Sequence, residues 1–216
     1  MHSLSWPAPL GIVTSSGIDH LSLHTTVASF QNSLGPDKQE NSERVMRRIK
    51  AFDSFFAEND SRSPLGGQFE MVRRKGLPPG NVLVQALLLA EMSTGLLMGA
   101  QDASAIEGEL ICDLAGSGET FQGMRNQVQC RPGEIVLKDN LGIIASLLQG
   151  PDHRTRLKKD TRDVVFFVFS VPGITVNEIR EGTEQIWSIF KSACSDLSTQ
   201  VYESGVPLLT GQNSTL

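Results

Sequence analysis

Met98-Gly99-Ala100-Gln101-Asp102-Ala103-Ser104-Ala105-Ile106-Glu107-Gly108 opens the stretch on which the fold turns, and Val164-Val165-Phe166-Phe167-Val168-Phe169 closes it. Between them the apolar residues leave the three-to-four spacing of helices for short runs broken by Gly, Pro and acidic turns. Residues 109–114, 120–124 and 134–138 read as strands. Asp139-Asn140-Leu141-Gly142 reads as a hairpin loop into a further strand over 143–148. The closing run is rich in β-branched and aromatic residues and has no polar alternation, as a central strand covered on both faces requires.

Upstream of that stretch the pattern is helical. Val45, Ile49, Phe52, Phe55 and Phe56 recur at helical spacing after Ser42, an N-cap residue type, which predicts a helix ending near Asn59-Asp60. Ser63-Pro64 starts a second helix with Leu65, Phe69 and Val72 inward. Arg73-Arg74-Lys75 falls at its C-terminal end, where cations suit the helix dipole. Past Gly76-Leu77-Pro78-Pro79-Gly80, Asn81 caps a leucine-rich third helix running to about Ser93. Downstream, Thr175-x-x-Glu178 has the spacing of a capping box. Ile179, Ile186, Ile189, Phe190, Ala193 and Leu197 then mark one face of a last helix.

Helices, then strands, then one helix indicate an α+β fold: a central, mainly antiparallel β-sheet structure with N-terminal helices and a C-terminal helix packed on it. The expected organisation is an N-terminal arm or short strands over 1–40, with a linker over 31–40. A single α+β domain over 41–197 and a polar, poorly ordered tail over 198–216 complete it.

The chain has 216 residues, 39% hydrophobic and 20% charged, which suits a globular protein with a substantial core. No window approaches ~18 uninterrupted apolar residues, so no membrane span is expected. The N-terminus does not read as a secretory signal. Cys112, Cys130 and Cys194 lie far apart, and His2, His20, His24 and His153 form no ligand spacing. Reduced thiols in a cytoplasmic setting, no metal and no cofactor are the expectation.

The formal net charge of −5 argues against a non-specific nucleic-acid binder. Basic residues nevertheless cluster at 44–50, 73–75 and 154–162. No nucleophile elbow, phosphate loop or dinucleotide fingerprint appears. Polar side chains gather in the loops of the central stretch. Among them His153 stands between Asp152 and Arg154, and a neighbouring carboxylate can tune a histidine for proton transfer.

Several motifs in register carry a resemblance. They are Gly95-x-x-Met98-x-Ala100-x-Asp102-x-x-x-Ile106-Glu107-Gly108, Gly118-Glu119, Pro132-Gly133-Glu134-Ile135-Val136-x-x-Asp139, Gly142-Ile143 and Thr161-x-Asp163-Val164-Val165-Phe166. Over about residues 45–190 the chain resembles the tRNA-editing (B-three/B-four) module of the phenylalanyl-tRNA synthetase beta subunit, and stand-alone proteins built on it. The resemblance implies a tRNA or aminoacyl-tRNA ligand and, at most, metal-free hydrolysis of a mischarged ester by a positioned water.

It also implies where a site would lie. Gly99, Ala100, Gln101, Phe167 and Thr161 would shape the substrate pocket. Arg154, Arg156, Lys158, Lys159 and Arg162 would meet phosphates, which position a nucleic acid without specifying it. The resemblance places the editing pocket's histidine at Gly99 and its glutamate at Phe167, so both polar groups are absent here. Such losses cost orders of magnitude in rate unless other groups substitute, and His153, Asp102 and Glu119 are the catalytic candidates. Two other readings stay open: a non-catalytic binder of an amino-acid-like small molecule, and a module that docks on a synthetase or another protein.

Overall fold

The structure is a computed structural model, and it describes residues 9–33 and 42–202. Its elements in chain order are β1 (Leu10–Ser16), α1 (His20–Ser33), α2 (Ser42–Glu58), α3 (Leu65–Lys75), α4 (Val82–Thr94) and β2 (Met98–Asp102). A single 3-10 turn (Ala103–Ala105) follows, then β3 (Ile111–Leu114), β4 (Thr120–Gln122), β5 (Gln127–Gln129), β6 (Ile135–Asp139), β7 (Gly142–Ser146), β8 (Gly150–Pro151), β9 (Val164–Val168), α5 (Val176–Phe190) and β10 (Asp196–Tyr202). All strand pairs among the described residues are antiparallel. The fold is α+β.

The strands form a sheet of order β10-β1-β9-β2, a second of order β3-β6-β7-β8, and a β4-β5 ribbon. β9 lies between β1 and β2 and is buried throughout, as its unalternating sequence requires. Helix α5 lies on the first sheet, where Phe190 packs against Phe166 with ring centroids 4.6 Å apart. Close approach there needs small residues. A Cβ on Gly182 would come within 2.7 Å of Val168, and one on Gly11 within 2.5 Å of Thr183.

Local chemistry places the helices. The side chains of Val45, Ile49, Phe52 and Phe56 give α2 one buried face. Asn81 accepts from the Leu83 amide at 2.9 Å and caps α4. Gly95 ends α4 in the left-handed region, at φ 70°, where a Cβ would meet the Val45 carbonyl at 2.6 Å. At α5 the Thr175 and Glu178 side chains each bond the other's backbone, completing the capping box.

The structure differs from the sequence reading at both ends. Residues 20–33, expected to belong to an arm or short strands and, from 31, to a linker, are helical. Asp19 caps α1, accepting from the amides of Leu21 and Ser22. Leu23 and Val27 are buried one turn apart and Phe30 packs beside them. The Ser and Thr content masks this, since Thr25 and Thr26 satisfy their hydroxyls on carbonyls one turn back. The last helix stops at Phe190, and Leu197 belongs to β10, which pairs with β1 along its length. Most of the expected linker and the residues after 202 lie outside the described residues.

Candidate functional site

β2 and β9 run side by side with Gly99 opposite Phe167, Ala100 opposite Phe166 and Gln101 opposite Val165. Alternation along a strand puts Gly99, Gln101 and Phe167 on one face and Ala100 on the other. Beside Gly99, which is half-buried, the room is tight. A Cβ there would lie 3.2 Å from the Phe169 ring and 3.8 Å from Phe167. Phe167 is fully buried, its ring 6.3 Å from that of Phe169. The glycine and the aromatic face fit each other as a packed pair.

One residue on, the strand becomes polar and buried. Gln101 donates to the Ile144 carbonyl at 3.0 Å and accepts from the Thr155 hydroxyl at 2.8 Å, tying β2 to the second sheet. Asp102 accepts from the Ser104 amide and hydroxyl with one oxygen, and from the Thr161 hydroxyl at 2.7 Å with the other. Its own amide donates to the Thr155 carbonyl at 2.7 Å. Unpaired polar groups at this depth would each cost about 1–3 kcal/mol, so this mutual satisfaction fixes the strand end and the loop on it.

That loop, residues 153–162, is held from several sides. The Thr161 hydroxyl accepts from the Lys158 amide at 2.9 Å. Asn81 donates to the Lys158 carbonyl at 2.9 Å, and the His20 ring Nε2 lies 2.7 Å from the Thr161 carbonyl. The Ile18 amide donates to the Arg162 carbonyl at 2.9 Å. With its backbone fastened inward, the loop presents Lys158, Lys159 and Arg162 exposed. None of the three forms an ion pair among the described residues.

The other two cations of the loop are engaged within the protein. Arg154 donates to Asp139 at 2.9 Å and to the Ala105 carbonyl at 2.7 Å. Asp152 stands 3.8 Å from its Nε. Arg156 donates to the His153 carbonyl at 2.6 Å and lies 3.2 Å from the ring Nδ1. Thr155 within the loop and Asp152 just before it are buried. The Thr155 hydroxyl is shared between Gln101 and Asp152.

The three catalytic candidates occupy different settings. His153 is exposed, and its amide donates to the Gln122 carbonyl at 2.7 Å, joining the loop to the β4-β5 ribbon. Asp102 is enclosed as described. Glu119 accepts from Lys138 at 2.9 Å and from the Gly116 amide at 2.7 Å. The Lys138 hydrogen bond holds the Glu119 carboxyl below the usual carboxylate range. No hydrogen bond joins any two of these candidates among the described residues.

Sequence reasoning assigned Asn81 only as a helix cap and gave His20 no role. Both hold the loop, and nothing local announces it, because each acts on a carbonyl more than seventy residues away.

Comparison with known proteins bears on this arrangement. A family model, the B3/4 domain, matches residues 61–185, more than half of the chain. Among solved structures the fold is similar to an N-terminal fragment of the phenylalanyl-tRNA synthetase beta subunit from Pyrococcus horikoshii, with a TM-score of 0.46 and 13% identity. That alignment covers 58% of this chain and 43% of the other, so it spans less than half of that fragment. No curated protein matches the chain.

Proposed function

The chain belongs to the B3/4 domain family, and from that premise we propose that it binds tRNA or aminoacyl-tRNA, with the loop over 153–162 meeting the phosphate backbone. The observation that carries the reading is the fastened loop. Lys158, Lys159 and Arg162 stand exposed and, among the described residues, free of ion pairs on backbone that β2, α1 and α4 hold in place. Cations on a preordered loop lose little conformational freedom when they bind an anion. An RNA partner is consistent with a cytoplasmic protein. No helix among the described residues is long and apolar enough to cross a membrane.

Binding is favoured over hydrolysis. The resemblance puts the polar pair of the editing pocket at Gly99 and Phe167, and here aromatic rings close-pack at that place. The same packing lends no support to a free amino-acid-like ligand beside Gly99. Hydrolysis of a mischarged ester in trans is the second reading. It rests on His153, whose exposed ring stands beside the Arg156 guanidinium at the edge of the loop.

The test measures the affinity of the full chain for a tRNA transcript across a salt series. Affinity should fall steeply with salt, by a log–log slope of about 0.7–0.9 for each phosphate contacted. Replacing Lys158, Lys159 and Arg162 together with Ala should weaken binding at least tenfold. An affinity indifferent to salt, or unmoved by the triple substitution, would overturn the reading. Deacylation of Tyr-tRNA(Phe) is assayed in parallel, and turnover that disappears in His153→Ala would establish the hydrolytic reading.

A further inference from the structure

A second group of cations lies at the end of α3, on the segment that leads to the Asn81 anchor of the loop. Helix α3 ends in Arg73-Arg74-Lys75, all three exposed. Arg73 pairs with Glu70 at 3.3 Å, both side chains more than half exposed, while Arg74 and Lys75 form no ion pair among the described residues. The helix terminus is already closed by the Gly76 amide on the Val72 carbonyl at 2.8 Å. A dipole interaction worth about 0.3–1 kcal/mol per exposed cation accounts for one or two such residues. It does not call for three in a row with their heads in water.

The connection to the loop is short and structured. Gly76 turns the chain at φ 74°, and the Gln85 side chain donates to the Pro78 carbonyl at 2.8 Å, folding the turn back onto α4. Asn81 then serves two elements at once. Its side-chain oxygen caps α4, and its side-chain nitrogen bonds the Lys158 carbonyl. Asn81 is six residues after Lys75, which bounds the path at about 22 Å even if fully extended. No Asp or Glu occurs between Glu70 and Glu91, so the intervening surface carries no carboxylate from this segment. In a chain of net charge −5, Arg74, Lys75, Lys158, Lys159 and Arg162 form no ion pair among the described residues. The turn after α3 leads to the Asn81 that bonds the Lys158 carbonyl, and Asp160 is the exposed carboxylate within the loop.

We propose that Arg73, Arg74 and Lys75 continue the phosphate surface of the loop, so that one RNA strand is held from the end of α3, across the turn at 76–81, to Lys158, Lys159 and Arg162. This rests on the tRNA-binding reading and extends it to a second element. A span of at most that length takes in no more than about six phosphates of one strand in a duplex.

The experiment uses the full chain and a tRNA transcript, followed by anisotropy at several salt concentrations. One variant carries Arg73→Ala, Arg74→Ala and Lys75→Ala, and a second carries Lys158→Ala, Lys159→Ala and Arg162→Ala. A third carries Arg73→Lys and Arg74→Lys. The α3 alanine variant should bind about tenfold more weakly at about 0.1 M salt, with the log–log slope reduced by about 2–3. Its thermal unfolding should stay near that of the parent, and the lysine variant should bind nearly as the parent does. If the α3 alanine variant binds tRNA with parental affinity while the loop variant has lost it, this inference falls and the tRNA reading stands. If the parent does not bind, or the loop variant binds unchanged, the tRNA reading falls and takes the inference with it.

Discussion

Glu91 is an acid enclosed in α4, and its carboxyl oxygen accepts from the Met98 amide at 3.0 Å. Burial pushes its carboxyl from 4.5 up to about 8, and the Met98 hydrogen bond pulls only partly the other way. Between those two values the folded chain holds a proton that the unfolded chain has released. Stability is therefore full below the lower value and falls as pH rises, by up to about 1.4 kcal/mol per pH unit. Denaturant unfolding at about pH 5, 6.5 and 8 should show that decline, and Glu91→Gln should flatten it. An equal decline in the variant would assign the pH dependence elsewhere. Gly99 makes the complementary point. The sequence shows that a polar side chain expected from the resemblance is missing, but only the neighbouring Phe169 ring shows that its room is tight.

Among the elements, the joint between α2 and α5 is the clearest case of charge ordered by packing. Arg48 is almost fully buried, with Nε 2.9 Å from Glu178, Nη1 2.9 Å from the Thr94 carbonyl and Nη2 on Glu181. Burial alone would raise the Glu178 carboxyl, but the Thr175 amide and the Arg48 guanidinium outweigh it and hold that carboxyl below its ordinary range. Arg47 also reaches Glu178, and Arg44 pairs with Glu181 at the exposed rim. Removing one partner of such a group leaves a buried charge unmet. Arg48→Ala should lower stability by about 3–5 kcal/mol, whereas Arg44→Ala should change it by less than about 1 kcal/mol. Chemical denaturation of both variants checks the contrast, and equal losses would contradict it. From sequence the run at 44–50 is visible only as a cluster of bases whose balancing acids are not marked. The acids proved to be Glu178 and Glu181, which no local pattern could select.

At the scale of the whole molecule, the first and last described strands are neighbours. β1 sits between β10 and β9, pairing Leu10 with Tyr202 and Gly11 with Val168. The main sheet cannot be complete until segments more than 150 residues apart meet, so its formation is a late, non-local event. A chain ended after Ser195 would leave β1 as an edge with its outer backbone groups unpaired. Compared with a chain ended after Tyr202, its melting temperature should drop by about 2–4 °C for each kcal/mol lost, and by about 10 °C in all. Equal melting temperatures would show that β10 contributes nothing to the sheet.

Much of this architecture is legible locally. The helical stripe of α2, the Asn81 cap, the Thr175–Glu178 capping box and the unalternating strand β9 all follow from spacing and residue type, because each is set by contacts within a few residues. Helix α1 is legible only in part, since Asp19 and the Leu23–Val27 stripe mark it while its threonines speak against it. The basic residues of the site are visible too. Their availability is not. Whether a cation faces solvent or a carboxylate depends on side chains brought in from distant elements: Asp139 takes Arg154, Glu178 takes Arg48, and Lys158, Lys159 and Arg162 are left to the surface. By itself the sequence determined helices α2 to α5, the buried strand β9 and the family motifs. Tertiary structure alone decided which charges were used up inside and which remained for a partner, because ion pairing depends on distance in space and not along the chain.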